Sequence, residues 1–359
     1  MEKVKRDRLI MQKVYLNHIS TSVPKYDIHQ RFINYALDLV GDERSRNLLQ
    51  TLANRSQIEH RYSIFKPHEN PNFLDENNFY NPKESPSTKQ RMLLYKEHAF
   101  NLARQALDRL DLKDITHLII TTCTGFYAPG IDLQIIEHYG LKLSVERTNI
   151  AFMGCCAAIN ALKTARHIVN STKEAKVLVV NIELCSLHLQ NTNEVKDLLP
   201  FLIFADGCAA SIISAQEIGI ELQSFYSTIL PNSLDQITWH IGDSGFDMVL
   251  SSLVSKLIIA QLPKITNEIL AGKSSKDFSK WAIHPGGRSI IEAVEKALDL
   301  PAEFLKPSRE ILRQFGNMSS ATIMFVLQEM MRQKNPQGEG CAMAFGPGVV
   351  VESMLFKIL

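Results

Sequence analysis

The sequence predicts an α/β protein of layered sheets and helices, and three observations carry that prediction. Short apolar runs of strand length alternate with longer stretches at helical spacing. Several of the apolar runs lack polar alternation, the mark of strands buried on both faces. Finally, 33 residues separate Thr122 from Cys155 and, again, His284 from Asn317. Each second member follows a glycine, Gly154 or Gly316, and leads into small residues. Two copies of one strand–loop–strand–helix unit would bring both helix starts to a shared centre. The two halves share little residue identity, so the spacing is an architectural hint rather than a proven repeat.

The elements follow in order. Residues 26–110 read as largely helical and polar, interrupted over 66–88 by a loop rich in Asn, Pro and Ser that is expected at the surface. HLIITT (117–122), NIAFM (149–153), KVLVVNI (176–182) and CAASIIS (208–214) read as buried strands. Helical spacing covers 159–169 and 251–270, the second with Leu253, Leu257 and Ile258 at apolar positions. KWAI (280–283), CAMAF (341–345) and VVVESML (349–355) return to strand. A chain of 359 residues can fold as one large domain or two intimately joined ones. The junction is placed near residue 215, giving halves 1–215 and 216–359.

Composition narrows the function. Hydrophobic residues at 45% and charged residues at 21% are ordinary for a soluble enzyme. A net charge of +1 gives no broad footprint for nucleic acid or anionic membrane. No stretch has the length and apolarity of a membrane span. The opening MEKVKRDRLIMQKVYL scatters charges where a secretion signal needs an apolar core. The six cysteines are not spaced as a disulfide framework, and no C-x-x-C pair offers a metal or redox site. Free thiols in a reducing cytoplasm are expected, with no metal.

Three stretches carry chemistry. In FMGCCAAINAL (152–162) a glycine hinge precedes a helix expected to open at Cys155. A thiol there sits at the positive end of a helix dipole, which favours the thiolate that attacks acyl carbonyls. The plainer reading is a buried cysteine packed among alanines, but the small neighbours leave room for a ligand. Cys156 points about 100° away on a helix and is assigned to the core. In WAIHPGG (281–287), His284 follows a strand, and its glycines open space for a bulky arm; a structural histidine competes. In FGNMSSATI (315–323), Asn317 is by default an N-cap, although its amide can equally donate to a carbonyl oxygen. Together the three make a set for thioester chemistry. The cysteine holds an acyl group, while uncharged or cationic donors hold the enolate oxygen that forms when a malonyl group loses CO₂. An aspartate at position 317 would repel that charge.

With these motifs the chain resembles a type III polyketide synthase of the chalcone synthase-like superfamily. The likeness runs from about residue 15 to the end, through GCCAA (154–158), FADGCAA (204–210), WAIHPGG, GNMSSA (316–321) and AFGPGVVVE (344–352). It implies a thiolase-like fold of five alternating αβαβα layers with two pseudo-duplicated halves, assembled as a homodimer. It implies a catalytic triad at Cys155, His284 and Asn317, with His284 helping to hold Cys155 as thiolate. It further implies acyl transfer from a starter CoA ester to Cys155, iterative decarboxylative condensation with malonyl-CoA, and cyclisation. Acyl-CoA and malonyl-CoA would be substrates, and no cofactor is implied. Phe204 matches a phenylalanine at the junction of CoA tunnel and cavity. Trp239 stands where plant chalcone synthases carry a second gatekeeper phenylalanine. Cys123, Cys185 and His188 stand where they have cavity threonines, and Ala128 where a methionine reaches the partner subunit. Arg55 matches one CoA-phosphate contact; Leu48 and Thr51 replace others, for which Arg46 or Arg61 are candidate substitutes. Gly286 and Ser289 match positions along the pantetheine arm. The expected product is a small polyketide of alkylpyrone, alkylresorcinol or phloroglucinol type. The rival readings are a ketoacyl synthase III-like enzyme making one condensation, a catalytically silent scaffold, and a papain-like cysteine hydrolase.

Overall fold

The computed structural model describes residues 12–70, 73–81, 83–172 and 174–359; residues 1–11, the start of the charged opening segment, lie outside them. The first half begins with β1 (Tyr15–Ser22), then a two-residue ladder of β2 (Tyr26–Asp27) and β3 (Tyr62–Ser63) that brackets α1 (His29–Leu39) and α2 (Glu43–Ser56). There follow α3 (Thr88–Leu107), β4 (His117–Thr122), α4 (Ile131–Tyr139), β5 (Glu146–Ala151), α5 (Ala157–Ser171), β6 (Val177–Leu184), α6 (Val195–Ile203) and β7 (Asp206–Ser214). The second half runs β8 (Ile220–Ile229), the hairpin β9 (Ile237–Gly242) and β10 (Gly245–Leu250), α7 (Val254–Ile269), β11 (Lys280–Ile283), α8 (Arg288–Leu298), α9 (Lys306–Phe315), α10 (Thr322–Arg332), β12 (Gly338–Gly346) and β13 (Val350–Ile358).

Nine strands form one mixed sheet in the order β11-β12-β13-β8-β1-β7-β6-β4-β5. β4 runs parallel to β5 and β6, and β11 parallel to β12; the other pairs are antiparallel. The halves meet at a short seam where Tyr15 pairs with Glu221 and Leu16 with Ile220.

Strand alternation builds the layers. Leu118, Ile120, Leu178 and Val180 face one way, against α1 and α3. Ile119, Val177 and Val179 face the other way, onto α5. In the second half Trp281, Ile283 and Met343 pack outward against α7 and α8. Ala282, Ala342 and Ala344 turn inward. The inward faces of both halves share one core with α5 and α10. The two parts of the sheet, joined at the β1–β8 seam, thus act as separate layers, and the order is helix, sheet, helix, sheet, helix, the five layers expected. The alanines on the inner face let the central helices approach closely.

Some sequence expectations are corrected. The strand placed at 149–153 is β5, which begins at Glu146; it is an edge strand with most residues exposed rather than a buried one. The segment 66–88 is irregular, but only part of it is a surface loop, because Leu74 and Tyr80 are fully buried. The Asp75 carboxylate folds it by accepting the backbone N–H groups of Asn77, Phe79 and Tyr80. β1, β8 and the β9–β10 hairpin were not anticipated.

Candidate active site

Cys155 is presented by a strained approach. After β5, Phe152 and Gly154 both take left-handed backbone conformations, at φ +57° and +65°. Glycine is required at 154, since a Cβ there would lie 2.4 Å from Pro347 Cδ of the other half. Cys155 then sits in a single 3₁₀ turn, Gly154–Cys156, and α5 starts at Ala157, two residues later than expected. Cys156 is buried against the Met153 carbonyl, 3.0 Å from its Sγ.

The second half answers with the same device. Gly316 has φ +66°, and Asn317 pairs beside Phe204: Asn317 N donates to Ile203 O, and Ala205 N to Asn317 O, each at 2.9 Å. A 3₁₀ turn, Ser319–Ala321, then leads into α10. Asn317 keeps part of the capping role expected of it, because its Oδ1 accepts the Ser319 N–H at 2.8 Å. That bond fixes the amide's orientation. Its Nδ2 donates to Gly286 O at 3.2 Å and lies 4.0 Å from Cys155 Sγ. His284 follows β11, anchored by its N–H to Met343 O, and is 1% exposed. Neither of its ring nitrogens has a hydrogen-bond partner among the described residues. A fully buried, unpartnered imidazole is costly unless something enters to meet it.

Cys155, His284 and Asn317 all line one mostly apolar cavity of about 610 Å³. Phe204, Trp239, Cys123, Cys185 and His188 form its walls, and Gly286 and Ser289 lie along it. Trp239 Nε1 donates to Cys123 O at 2.7 Å. His188 is locked: Nδ1 accepts the Phe246 N–H at 3.1 Å, leaving Nε2 to donate to Thr124 O at 2.7 Å. Its ring stacks on Phe246 at 4.0 Å. Burial drives His188 down to about 3, so it is a neutral wall and not a base.

Burial also pushes the Cys155 thiol up to about 11, opposing the helix start, and the His284 imidazole down to about 3. Each resists carrying charge alone.

The basic residues named from the sequence divide between surface and interior. Arg55 does not line the cavity; it is exposed, and its carbonyl receives Arg288 Nη1 at 3.4 Å. Arg61, a candidate phosphate contact, is fully buried with its guanidinium committed to backbone and His29. Arg46 and Thr51 are exposed, as is Leu48.

Sequence reasoning missed Ser319, whose Oγ stands 3.7 Å from Cys155 Sγ and 3.2 Å from Cys123 Sγ. It also missed Glu183, buried beneath them, which accepts from Cys123 N, Thr124 Oγ1 and Ser320 Oγ. Ser319 lies inside GNMSSA and was visible there; Glu183, like Asn181, was a polar interruption of an otherwise apolar strand. Phe246 had no local signal. All six cysteines are free, and among the described residues no cluster of His, Cys, Asp or Glu is placed to hold a metal.

Comparison with known proteins decides the family. The models of the chalcone and stilbene synthase N-terminal and C-terminal domains match residues 2–217 and 221–359. The chain belongs to the chalcone and stilbene synthase family. Among curated members it is 34% identical, over 95% of this chain and 90% of that protein, to the alpha-pyrone synthesis polyketide synthase-like Pks18 of Mycobacterium tuberculosis. It is 31% identical, over 89% of this chain and 84% of that one, to bisdemethoxycurcumin synthase of Oryza sativa subsp. japonica. The C-terminal type III polyketide synthase domain of Steely1 from Dictyostelium superposes with a TM-score of 0.88 at 26% identity, covering 96% of this chain and 99% of that one. The protein is thus a type III polyketide synthase, an acyltransferase with the thiolase-like fold. Chalcone and stilbene synthase relatives on this scale favour iterative synthesis over the single-condensation alternative.

Proposed function

We propose that Cys155 carries the growing chain, while His284 and Asn317 Nδ2 hold the enolate oxygen. The observation that supports this is the convergence of a thiol, a carboxamide and an unpartnered imidazole on one apolar cavity. In this scheme His284 takes the Cys155 proton as the sulfur attacks a starter acyl-CoA, and the CoA thiol leaves. Malonyl-CoA then loses CO₂. The electron pair moves onto its thioester carbonyl oxygen, where the two N–H donors meet it. The enolate carbon attacks the Cys155 thioester, and the sulfur departs as the new C–C bond forms. Repetition followed by ring closure releases the product. No cofactor enters the scheme.

The apolar cavity suits aliphatic starters, and the Mycobacterium relative's name points toward a pyrone product, with alkylresorcinol and phloroglucinol products as the other classes. Incubation with malonyl-CoA and a panel of acyl-CoA starters, followed by mass spectrometry, tests the proposal. Two or more ketide units per product without carrier protein are expected, and Cys155→Ala is expected to abolish them. A working alanine variant overturns the assignment.

The reading extends to assembly and compartment. Exposed edge strand β5, beside half-exposed Met153, supports a homodimer formed through this edge. A monomer by sedimentation velocity removes that part. No described helix is long and apolar enough to cross a membrane, and the free cysteines support a cytoplasmic setting, which fractionation of the native host tests.

A further inference from the structure

A buried cation stands behind Asn317. Arg61 immediately precedes β3 and has no exposed surface. Its Nε donates to His29 Nδ1 at 2.8 Å, its Nη1 to Phe204 O at 3.1 Å and its Nη2 to His29 O at 3.4 Å. All three acceptors are uncharged, since burial and the neighbouring Arg61 drive His29 down to about 4. The nearest carboxylate, Asp27, makes no bond to the guanidinium: it accepts the backbone N–H groups of His29 and Arg61, at 3.1 and 3.2 Å, and pairs with His60 Nδ1 at 2.6 Å, so that it reaches Arg61 only through its charge. A guanidinium cut off from water and bonded to no carboxylate is expensive to keep. Its contacts show what it holds.

Those contacts clamp the short ladder that aims Asn317. Arg61 takes the Phe204 carbonyl, and Phe204 is the bridge partner of Asn317. The Arg61 stem lies against Gly316, where an added Cβ would come within 2.8 Å of Arg61 Cγ. One side chain therefore grips both strands of the bridge, from the side away from the cavity. Its guanidinium also sits over the Phe32 ring, 5.0 Å from the centroid, which ties the bridge to α1.

We propose that Arg61 is a positioning residue that sets the Asn317 carboxamide and the Phe204 ring for the decarboxylation step. The proposal rests on the reading of Asn317 as a donor to the enolate oxygen. It separates two half-reactions. Loading of Cys155 from acyl-CoA does not need the amide placed to a fraction of an ångström, whereas stabilising the enolate does.

The experiment compares Arg61→Met, Arg61→Lys, Asn317→Ala and the Arg61→Met/Asn317→Ala double variant. CO₂ release from malonyl-CoA and acylation of Cys155 by a starter acyl-CoA, the latter read by intact-protein mass spectrometry, are measured on each. Arg61→Met is expected to slow CO₂ release by about 10- to 100-fold while acylation stays within about three-fold. Arg61→Lys should recover part of the loss. In the Asn317→Ala background the Arg61 change should add less than about two-fold, because both act through one group. Equal losses in both half-reactions, or a fully additive double variant, overturn the proposal; if Arg61→Met does not fold, Arg61→Lys carries the same comparison. If Asn317→Ala alone leaves CO₂ release untouched, the reading of Asn317 falls, and the proposal falls with it. An Arg61 failure with a damaged Asn317→Ala leaves that reading standing.

Discussion

At the residue scale the site is governed by dryness. Cys155 and His284 are both pushed toward their uncharged forms, to about 11 and about 3, by the removal of water. The helix start read from the sequence pulls the thiol the other way, by only about 0.3–1 kcal/mol at typical sites, which is less than the desolvation it faces. A partner proton acceptor is then the route to a nucleophile. On the reading that His284 takes the proton of Cys155, His284→Ala should slow iodoacetamide alkylation of Cys155 at neutral pH by about 10-fold or more and move its pH midpoint upward. An unchanged profile in the variant would show that the thiol is activated without the imidazole. The sequence made the identities of Cys155, His284 and Asn317 legible, because glycine and small residues around each expose a reactive group to a ligand. It left Arg61 on the wrong side of the protein. A basic residue in a helical, polar stretch reads as surface, and only the long-range bonds to Phe204 and His29 reveal otherwise.

At the element scale, the two glycine-hinged turns matter most. Gly154 and Gly316 share nearly the same left-handed φ, and each delivers a functional side chain from a 3₁₀ turn or its approach. The 33-residue spacing does not mark one repeated strand–loop–strand–helix unit: α4 and strand β5 lie between Thr122 and Cys155, whereas α8 and α9, with no strand, lie between His284 and Asn317, and neither following helix begins where the spacing put it. Gly154→Ala meets two penalties at once, an unfavourable φ and contact with Pro347. It is expected to cost about 1–3 kcal/mol of stability and to displace the sulfur. Chemical denaturation together with Cys155 acylation by acyl-CoA reads both effects; a variant equal to the parent in each contradicts the geometry. The β9–β10 hairpin went unread because its alternation is weak and much of it is exposed. Its Trp239 and Phe246 become walls only through tertiary contact with His188 and the Cys123 carbonyl. Strand β5 was misjudged for a related reason. Apolar residues at its end belong to the hinge that follows, while its body, ERTNIA, is an edge.

At the scale of the whole molecule, buried histidines couple stability to acidity. His188 is held near 3 in the folded protein against 6.5 when solvated, so the unfolded chain binds its proton first as pH falls. Stability from this group is complete above about 6.5 and drains away toward 3, at about 1.4 kcal/mol per pH unit inside the window. Asp206, pushed up to about 6 by burial, works in the opposite direction over part of that range. The clean readout is therefore a difference. His188→Phe should be less stable than the parent at pH 8, and the gap should narrow as pH drops from 6.5 toward 4; a constant gap would deny the coupling. The layered architecture was legible because buried strands alternate with amphipathic helices, whereas the pairing order of nine strands was not, being set by contacts far apart in sequence. One seam in that order has a practical meaning. The halves pair at two positions between β1 and β8 and again where Phe204 bridges Asn317, their inner faces close on one common core, and residues 215–218 between them are exposed. A protease cut at that link should sever the polypeptide without parting the pieces, and two separately expressed fragments should find each other and regain turnover, since sulfur and amide are supplied from opposite sides of the join.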